Sequence, residues 1–168
     1  MNKKIKIYFL GSGPIAVPVL TKLQHSPNLE LLGVATQPDR QAGRKRQLLS
    51  TPVGTASDAA GTPALRVENV NDPDFLDMLK KLDVDFVLVV SFGQLLKADL
   101  LNLPRYGCIN VHASILPRYR GASPISTAIA NQDSETGVTF MKMDRGLDTG
   151  DIYQIITQQK PQYNTTYS

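Results

Sequence analysis

Apolar runs and segments of helical spacing alternate through the first two-thirds of the chain. The runs predicted to be strands are 5–10, 29–36, 85–90 and 107–111. The run at 86–90 is apolar on both faces, which is typical of a strand buried in a parallel sheet. The predicted helices begin at or beside Pro14, Pro52, Pro73 and Pro124, and proline is favoured in a first helical turn. A further short helix is expected at 94–101.

The last third of the chain has a different pattern. Two runs, 137–143 and 150–157, follow each other without a helical crossover, so we expect a hairpin with its turn at 144–149. The segments 38–52 and 114–123 lack a useful period and are predicted to be loops. The predicted fold class is therefore α/β: an open, Rossmann-like, mainly parallel sheet with helices on both faces and late antiparallel strands.

Length and composition narrow the possible classes of protein. A chain of 168 residues with 42% hydrophobic and 20% charged residues fits one soluble domain. No apolar run approaches the ~20 residues of a membrane span, so we expect no membrane contact and a cytoplasmic location. The single cysteine, Cys108, excludes an internal disulfide and a cysteine-cluster metal site. The net charge of +3 permits an anionic partner without requiring one.

Three polar residues are expected near the carboxyl ends of the strands, where open α/β sheets bind ligands. Asn110 and His112 end the run at 107–111, and Asp148 lies in the turn at 144–149. A histidine can pass a proton near neutral pH, a carboxylate can orient it, and a carboxamide can stabilise a developing oxyanion. The trio therefore suits acyl or formyl transfer, although spacing alone favours a structural role in caps and turns.

Two other motifs are discounted. Asp148-Thr149-Gly150 has the aspartic-protease triplet, but that class needs two such triplets in an all-β setting. The segment 11–16, Gly-Ser-Gly-Pro-Ile-Ala, resembles a dinucleotide fingerprint. The second predicted strand ends in Ala35-Thr36-Gln37-Pro38 without the acidic residue that would bind ribose, so a tight strand-to-helix turn is the preferred interpretation.

The predicted loop at 38–52 is basic. Four cations lie within seven positions: Arg40, Arg44, Lys45 and Arg46. Only Asp39 offsets them locally. Such a loop is most often a solvated surface, but it is also able to contact phosphates with a salt-dependent affinity.

Three segments together resemble the folate-dependent formyltransferase family. They are Asn-Val-His-Ala-Ser-Ile-Leu-Pro-Arg-Tyr-Arg-Gly at 110–121, Glu-Thr-Gly-Val-Thr at 135–139 and Gly-Leu-Asp-Thr-Gly-Asp at 146–151. The resemblance implies a catalytic trio of Asn110, His112 and Asp148. It also implies 10-formyltetrahydrofolate as the formyl donor, direct transfer through a tetrahedral intermediate, and no metal.

The resemblance also implies a folate-binding pocket formed by two segments. Its expected residues are Ser114, Ile115, Leu116, Pro117, Phe92, Gln94, Leu95 and Leu96. The family usually has leucine where this chain has Ile115, and often tyrosine where it has Phe92. Neither departure changes the expectation of an apolar pocket for the pterin.

The segments 36–44 and 50–53 resemble the branch of the family that formylates initiator methionyl-tRNA. This resemblance assigns Arg40, Arg44, Lys45 and Arg46 to tRNA binding and implies no contact with DNA. The alternatives are a formyltransferase acting on a sugar-nucleotide amine or glycinamide ribonucleotide, and an inactive folate- or RNA-binding module. Members of that branch are much longer, so residues 1–168 are expected to be a catalytic domain that stops near its C-terminal end, without the branch's C-terminal β-barrel.

Overall fold

A computed structural model describes residues 3–42 and 46–159. Two of the predicted tRNA-binding residues, Arg44 and Lys45, lie outside the described residues. Within those two ranges, no helix has both the length and the apolar character needed to cross a bilayer.

Seven strands form the main sheet, and two more form a small hairpin. In chain order the strands are β1 Ile5–Gly11, β2 Leu29–Thr36, β3 Arg40–Ala42, β4 Gln47–Leu49, β5 Leu65–Arg66, β6 Phe86–Val90, β7 Cys108–His112, β8 Glu135–Lys142 and β9 Ile152–Gln159. The main sheet has the order β5-β2-β1-β6-β7-β8-β9, and β3 pairs with β4. The strands from β5 to β7 are parallel and β8 and β9 are antiparallel, which confirms the predicted fold class.

Helices cover both faces of the parallel part of the sheet. They are α1 Val17–Gln24, α2 Pro52–Ala59, α3 Pro73–Leu82, α4 Ala98–Leu101 and α5 Pro124–Ala130, and a 3-10 turn, Pro14–Ala16, precedes α1. Leu20 of α1 and Val53 of α2 pack with Phe9 in one buried cluster. Phe75 and Leu79 of α3 pack in the other, on the opposite face. The two clusters follow from strands that carry apolar residues at successive positions.

The strand order reverses between β1 and β6. The chain moves outward from β1 to β2 and β5, then returns to the other side of β1 with β6. The connections that follow β1 and β6 therefore run in opposite directions from the carboxyl ends of these strands, Gly11 and Val90, and leave a crevice between them. This reversal decides where a ligand site can form.

Three elements differ from the sequence predictions. The segment predicted as a loop at 38–52 contains the β3–β4 hairpin, the two-residue β5 was not predicted, and α4 is shorter than the expected 94–101. Strands of two or three residues are too short to show a period of two. Their formation depends on pairing with a neighbour that the local sequence does not reveal.

Candidate functional site

A cavity of about 430 Å³ opens at the carboxyl edge of the sheet, where the strand order reverses. Its walls come mainly from the turns after β1, β2, β6 and β7 and from the turn between β8 and β9. Asn110, His112 and Asp148 all line it. The structure therefore brings Asp148 of the turn between β8 and β9 together with Asn110 and His112 at the end of β7.

Strand β7 presents Asn110 and His112 on the same face because they are two residues apart. Asp148 approaches both from the β8–β9 turn. Asn110 Nδ2 lies 3.4 Å from Asp148 Oδ1, and His112 Nδ1 lies 3.6 Å from Asp148 Oδ2. Both His112 and Asp148 side chains are largely buried, at 6% and 10% exposure, so water screens the interaction between them little.

The backbone of Asp148 is held in a left-handed conformation, with φ of 52°. That conformation is unfavourable for a residue with a Cβ, and surrounding contacts must stabilise it. The Gly121 N–H donates to Asp148 Oδ2 at 2.8 Å, and Arg120 Nε donates to the Asp148 carbonyl oxygen at 3.0 Å. These two bonds attach the β8–β9 turn to the loop that follows β7.

The ring orientation of His112 follows from a second contact with that loop. His112 Nε2 lies 2.8 Å from the carbonyl oxygen of Tyr119. A carbonyl oxygen can only accept a hydrogen bond, so Nε2 carries the hydrogen. Any further proton on the imidazole must then be at Nδ1, on the side that faces Asp148.

The loop itself is attached to β8 through Thr139, which pairs with His112 across the sheet. The fully buried Thr139 hydroxyl donates to the Ser114 carbonyl oxygen at 2.7 Å and accepts from the Leu116 N–H at 3.1 Å. Ser114 Oγ also donates to the Arg118 carbonyl oxygen at 2.6 Å. A β8 side chain thus fixes the path of the loop that contacts both His112 and Asp148.

The residues predicted to bind folate fall into two groups. The cavity is lined by Phe92, Gln94, Leu95 and Leu96. Phe92 and Leu96 are buried and Leu95 is exposed at the rim. The segment 114–117 runs beside the cavity without lining it, and its contact with folate remains a prediction.

The amide of Gln94 has a structural task within this wall. Its Oε1 accepts from the Val70 N–H at 3.0 Å, and its Nε2 donates to the Val67 carbonyl oxygen at 2.8 Å. Both groups of the side chain are therefore used in joining the loop after β6 to the segment that precedes α3.

Sequence analysis missed Ser12 and Gln37 as wall residues. Ser12 Oγ donates to the Phe92 carbonyl oxygen at 3.1 Å, and Gln37 Nε2 donates to the same oxygen at 2.9 Å. The backbone N–H groups of Ser12 and Gly13 both donate to the Ser91 carbonyl oxygen. The glycine-rich turn thus joins β1 to β6, in agreement with the tight-turn interpretation. The only sequence signal was the Gly-Ser-Gly segment itself.

A more open cavity of about 810 Å³ lies near the amino ends of the parallel strands. Phe86, Tyr106 and Phe140 line it, and no residue of the predicted site does. Its size does not make it the better candidate for catalysis, because it lacks the grouping of carboxamide, imidazole and carboxylate found in the smaller cavity. Within the described ranges, no three His, Cys, Asp or Glu side chains group closely enough to hold a metal ion.

The described part of the basic segment closely follows a wall of the smaller cavity along the chain. Arg40 begins β3, three residues after the wall residue Gln37, so their Cα atoms are within about 11 Å of each other. Arg40 and Arg46 are both exposed. Arg40 is therefore near the cavity, while Arg44 and Lys45 lie outside the described residues.

Comparison with known proteins identifies the family of the chain. Residues 3–165 match the family described as formyl transferase. The chain belongs to that family. It is 50% identical over 148 residues to a methionyl-tRNA formyltransferase of Halothermothrix orenii, with coverage of 88% of the chain and 47% of the relative. It is 44% identical over 162 residues to one of Geotalea daltonii, covering 96% of the chain and 52% of the relative.

Solved structures show the same fold at lower identity. A phosphoribosylglycinamide formyltransferase from Bacillus halodurans superposes with a TM-score of 0.72 and 22% identity, covering 95% of this chain and 82% of that one. One from Anaplasma phagocytophilum has a TM-score of 0.75 and 19% identity, covering 97% and 76%. The chain spans about half the length of the curated relatives it matches.

Proposed function

We propose that this chain contains the catalytic centre of a methionyl-tRNA formyltransferase. In the proposed reaction, the amino group of initiator methionyl-tRNA attacks the formyl carbon of 10-formyltetrahydrofolate and displaces N10. One proton leaves the amine and one is gained at N10, so the products are formyl-methionyl-tRNA and tetrahydrofolate. The observation that carries the proposal is the convergence of Asn110, His112 and Asp148 in one cavity.

The cavity fits a folate donor in size and in the character of its walls. Its volume of about 430 Å³ is within the usual range of small-molecule sites, roughly 300–1,000 Å³. Phe92, Leu96 and Met141 supply apolar surface, and the polar trio lies beside them. We place the pterin against the apolar surface and the formyl group beside the trio.

The polar trio supplies two chemical functions. The formyl oxygen gains negative charge as the amine attacks, and an N–H of Asn110 and a proton at His112 Nδ1 would stabilise it. Asp148 faces that Nδ1 at 3.6 Å and would accept a hydrogen bond from it. His112 and Asp148 would together carry the proton from the attacking amine towards N10.

The methionyl acceptor is supported by the curated relatives and by the position of the basic hairpin. Relatives at 44–50% identity are named methionyl-tRNA formyltransferases. Arg40 and Arg46 are exposed in the segment that follows the wall residue Gln37, and they would meet the phosphates of an acceptor stem.

The direct test is formyl transfer from 10-formyltetrahydrofolate to methionyl-tRNA by this chain. A sugar-nucleotide amine and glycinamide ribonucleotide serve as competing acceptors, and the Halothermothrix orenii relative serves as the positive control. Formyl-methionyl-tRNA as the main product supports the proposal. Transfer to a small amine alone would overturn the acceptor. Thermal stabilisation by a folate analogue without any transfer would indicate a binding module instead.

A further inference from the structure

Arg66 lies on the short strand β5 and contacts four separate parts of the chain. Its Nε donates to Asp39 Oδ1 at 3.3 Å, and one Nη donates to Ser50 Oγ at 2.9 Å. The guanidinium also binds both oxygens of Asp58, at 2.9 and 2.6 Å. A last bond, of 2.7 Å, reaches the Ala64 carbonyl oxygen.

Two of these contacts lie at the base of the β3–β4 hairpin. Asp39 immediately precedes β3, and Ser50 immediately follows β4. The contacts to Asp58 and Ala64 join the same guanidinium to α2 and to the segment leading into β5. Arg66 therefore connects both ends of the hairpin to the body of the domain.

Polar contacts of this kind matter because the hairpin has little apolar packing. All three residues of β4, Gln47–Leu49, are exposed, and Leu48 and Leu49 are 67% and 52% exposed. Two three-residue strands are marginally stable by themselves. The orientation of the hairpin must then be set mainly at its base.

The carboxylates around Arg66 also affect which cations of the hairpin are available to bind an anionic ligand. Asp39 is the one acidic residue beside the hairpin's cations, and its carboxylate is paired with Arg66. Arg66 also holds the pKa of Asp58 below its usual range, chiefly through their side-chain hydrogen bond. Pairing Asp39 with Arg66 rather than with Arg40 leaves the cation of β3 to face outward.

We propose that Arg66 is a positioning residue that fixes the direction of the β3–β4 hairpin and so sets the affinity of the site for its polyanionic acceptor. This inference rests on the proposed function. It assigns Arg66 no contact with the donor or with the reacting atoms, because its guanidinium is engaged at the base of the hairpin. Its loss should raise the acceptor KM and leave kcat and donor binding unchanged.

The test compares Arg66→Met, Arg66→Lys and Asp39→Asn with the parent chain. Arg105→Met is the matched control. Arg105 also faces two carboxylates, Asp83 and Asp85, but it lies near the amino ends of β6 and β7. Hydrogen exchange of the amides in 40–42 and 47–49 reports on the hairpin without reference to activity. Steady-state formylation of methionyl-tRNA and of a small amine reports on the acceptor.

We expect faster exchange in the hairpin and a several-fold higher KM for methionyl-tRNA in Arg66→Met, with partial recovery in Arg66→Lys. Asp39→Asn should show the same changes more weakly. Because this variant keeps the contact between Arg66 and α2, a change in it cannot be attributed to general unfolding of the domain. Arg105→Met should change neither quantity. Unchanged hairpin exchange in Arg66→Met would overturn the inference.

Direct substitution of hairpin cations separates this inference from the proposed function. If Arg40→Ala and Arg46→Ala raise the acceptor KM but Arg66→Met does not, Arg66 has no positioning role and the inference fails alone. If none of the three raises it while transfer to methionyl-tRNA continues, the hairpin does not bind the acceptor and the inference fails with that part of the proposed function.

Discussion

His112 Nε2 lies 2.8 Å from the carbonyl oxygen of Tyr119, while Nδ1 of the same ring faces Asp148 Oδ2 at 3.6 Å. The first contact decides which nitrogen carries the hydrogen of the neutral ring. The second directs the other nitrogen towards the carboxylate. The loop after β7 therefore holds the imidazole with Nδ1 towards Asp148, and the following variants test the proposed role of that arrangement.

Removing either member of this pair should abolish transfer without unfolding the domain. We expect His112→Ala and Asp148→Asn to lower kcat by about 100-fold to 10,000-fold, the usual contribution of a general acid-base group. Single-turnover formylation measures the loss, and the melting temperature checks the fold. Near-normal turnover in either variant with normal stability would remove that residue from the catalytic trio.

Arg120 should act through Asp148, whose carbonyl oxygen it binds. We expect Arg120→Ala to lower kcat roughly tenfold, since a bond from a charged donor contributes about 1.5–3 kcal/mol and an exposed one less. Arg120→Lys should recover part of the loss. The control is Arg145→Ala, an equal charge change at an exposed position in the same turn as Asp148. Equal losses in Arg120→Ala and Arg145→Ala would show that general charge, and not the bond, is responsible.

Thr139 should contribute to stability more than to chemistry. Thr139→Val keeps the shape of the side chain but leaves the Ser114 carbonyl and the Leu116 N–H without their partner. We expect a loss of about 1–3 kcal/mol in the free energy of unfolding, the usual cost of a buried unpaired polar group. Urea denaturation measures it. Thr139→Ser keeps the hydroxyl, so a loss as large in the serine variant would assign the effect to packing.

Alkaline pH should destabilise the domain through two buried acids. Burial raises the pKa of Cys108 from 9.0 to about 12 and that of Tyr8 from 10.0 to about 12. The unfolded chain therefore releases these protons more readily, and the free energy of unfolding should fall as the pH rises from about 9 to 12. Denaturation curves across this range measure the slope, which should be shallower in Cys108→Ala.

The same burial predicts the reactivity of Cys108, the single cysteine of the chain. Iodoacetamide should leave the native protein unlabelled at pH 8 and modify one thiol after urea denaturation, because the thiolate is the reactive form. Labelling of the native protein at the rate of a free thiol would contradict the buried position.

The cations of the segment 40–46 should affect the use of the acceptor and leave the use of the donor unchanged. We expect Arg40→Ala, Arg44→Ala and Arg46→Ala each to weaken the use of methionyl-tRNA and to lower its salt dependence, as the loss of phosphate contacts does. Deformylation of 10-formyltetrahydrofolate in the absence of tRNA should be unchanged. Parallel losses in both reactions would argue that these residues support the fold and not the acceptor.

The chain's apolar pattern alone predicted the alternation of strands and helices, the antiparallel end of the sheet and the edge at which Asn110, His112 and Asp148 meet. These predictions succeeded because burial on both faces of a parallel sheet leaves continuous apolar runs that local sequence displays. The family resemblance added the trio's chemistry. It came from the combination of three segments, since the spacing of the trio by itself favoured a structural role.

Only the tertiary structure decided the contacts that hold the site in place. Tyr119, Arg120 and Thr139 are ordinary loop or strand residues in the sequence. Their importance comes from a carbonyl, a guanidinium or a hydroxyl whose partner lies 7, 28 or 25 positions away along the chain. Arg66 and the β3–β4 hairpin were missed for the same reason. Short strands and long-range hydrogen bonds leave no periodic signal, because their partners are fixed by how the sheet folds and not by neighbours in sequence.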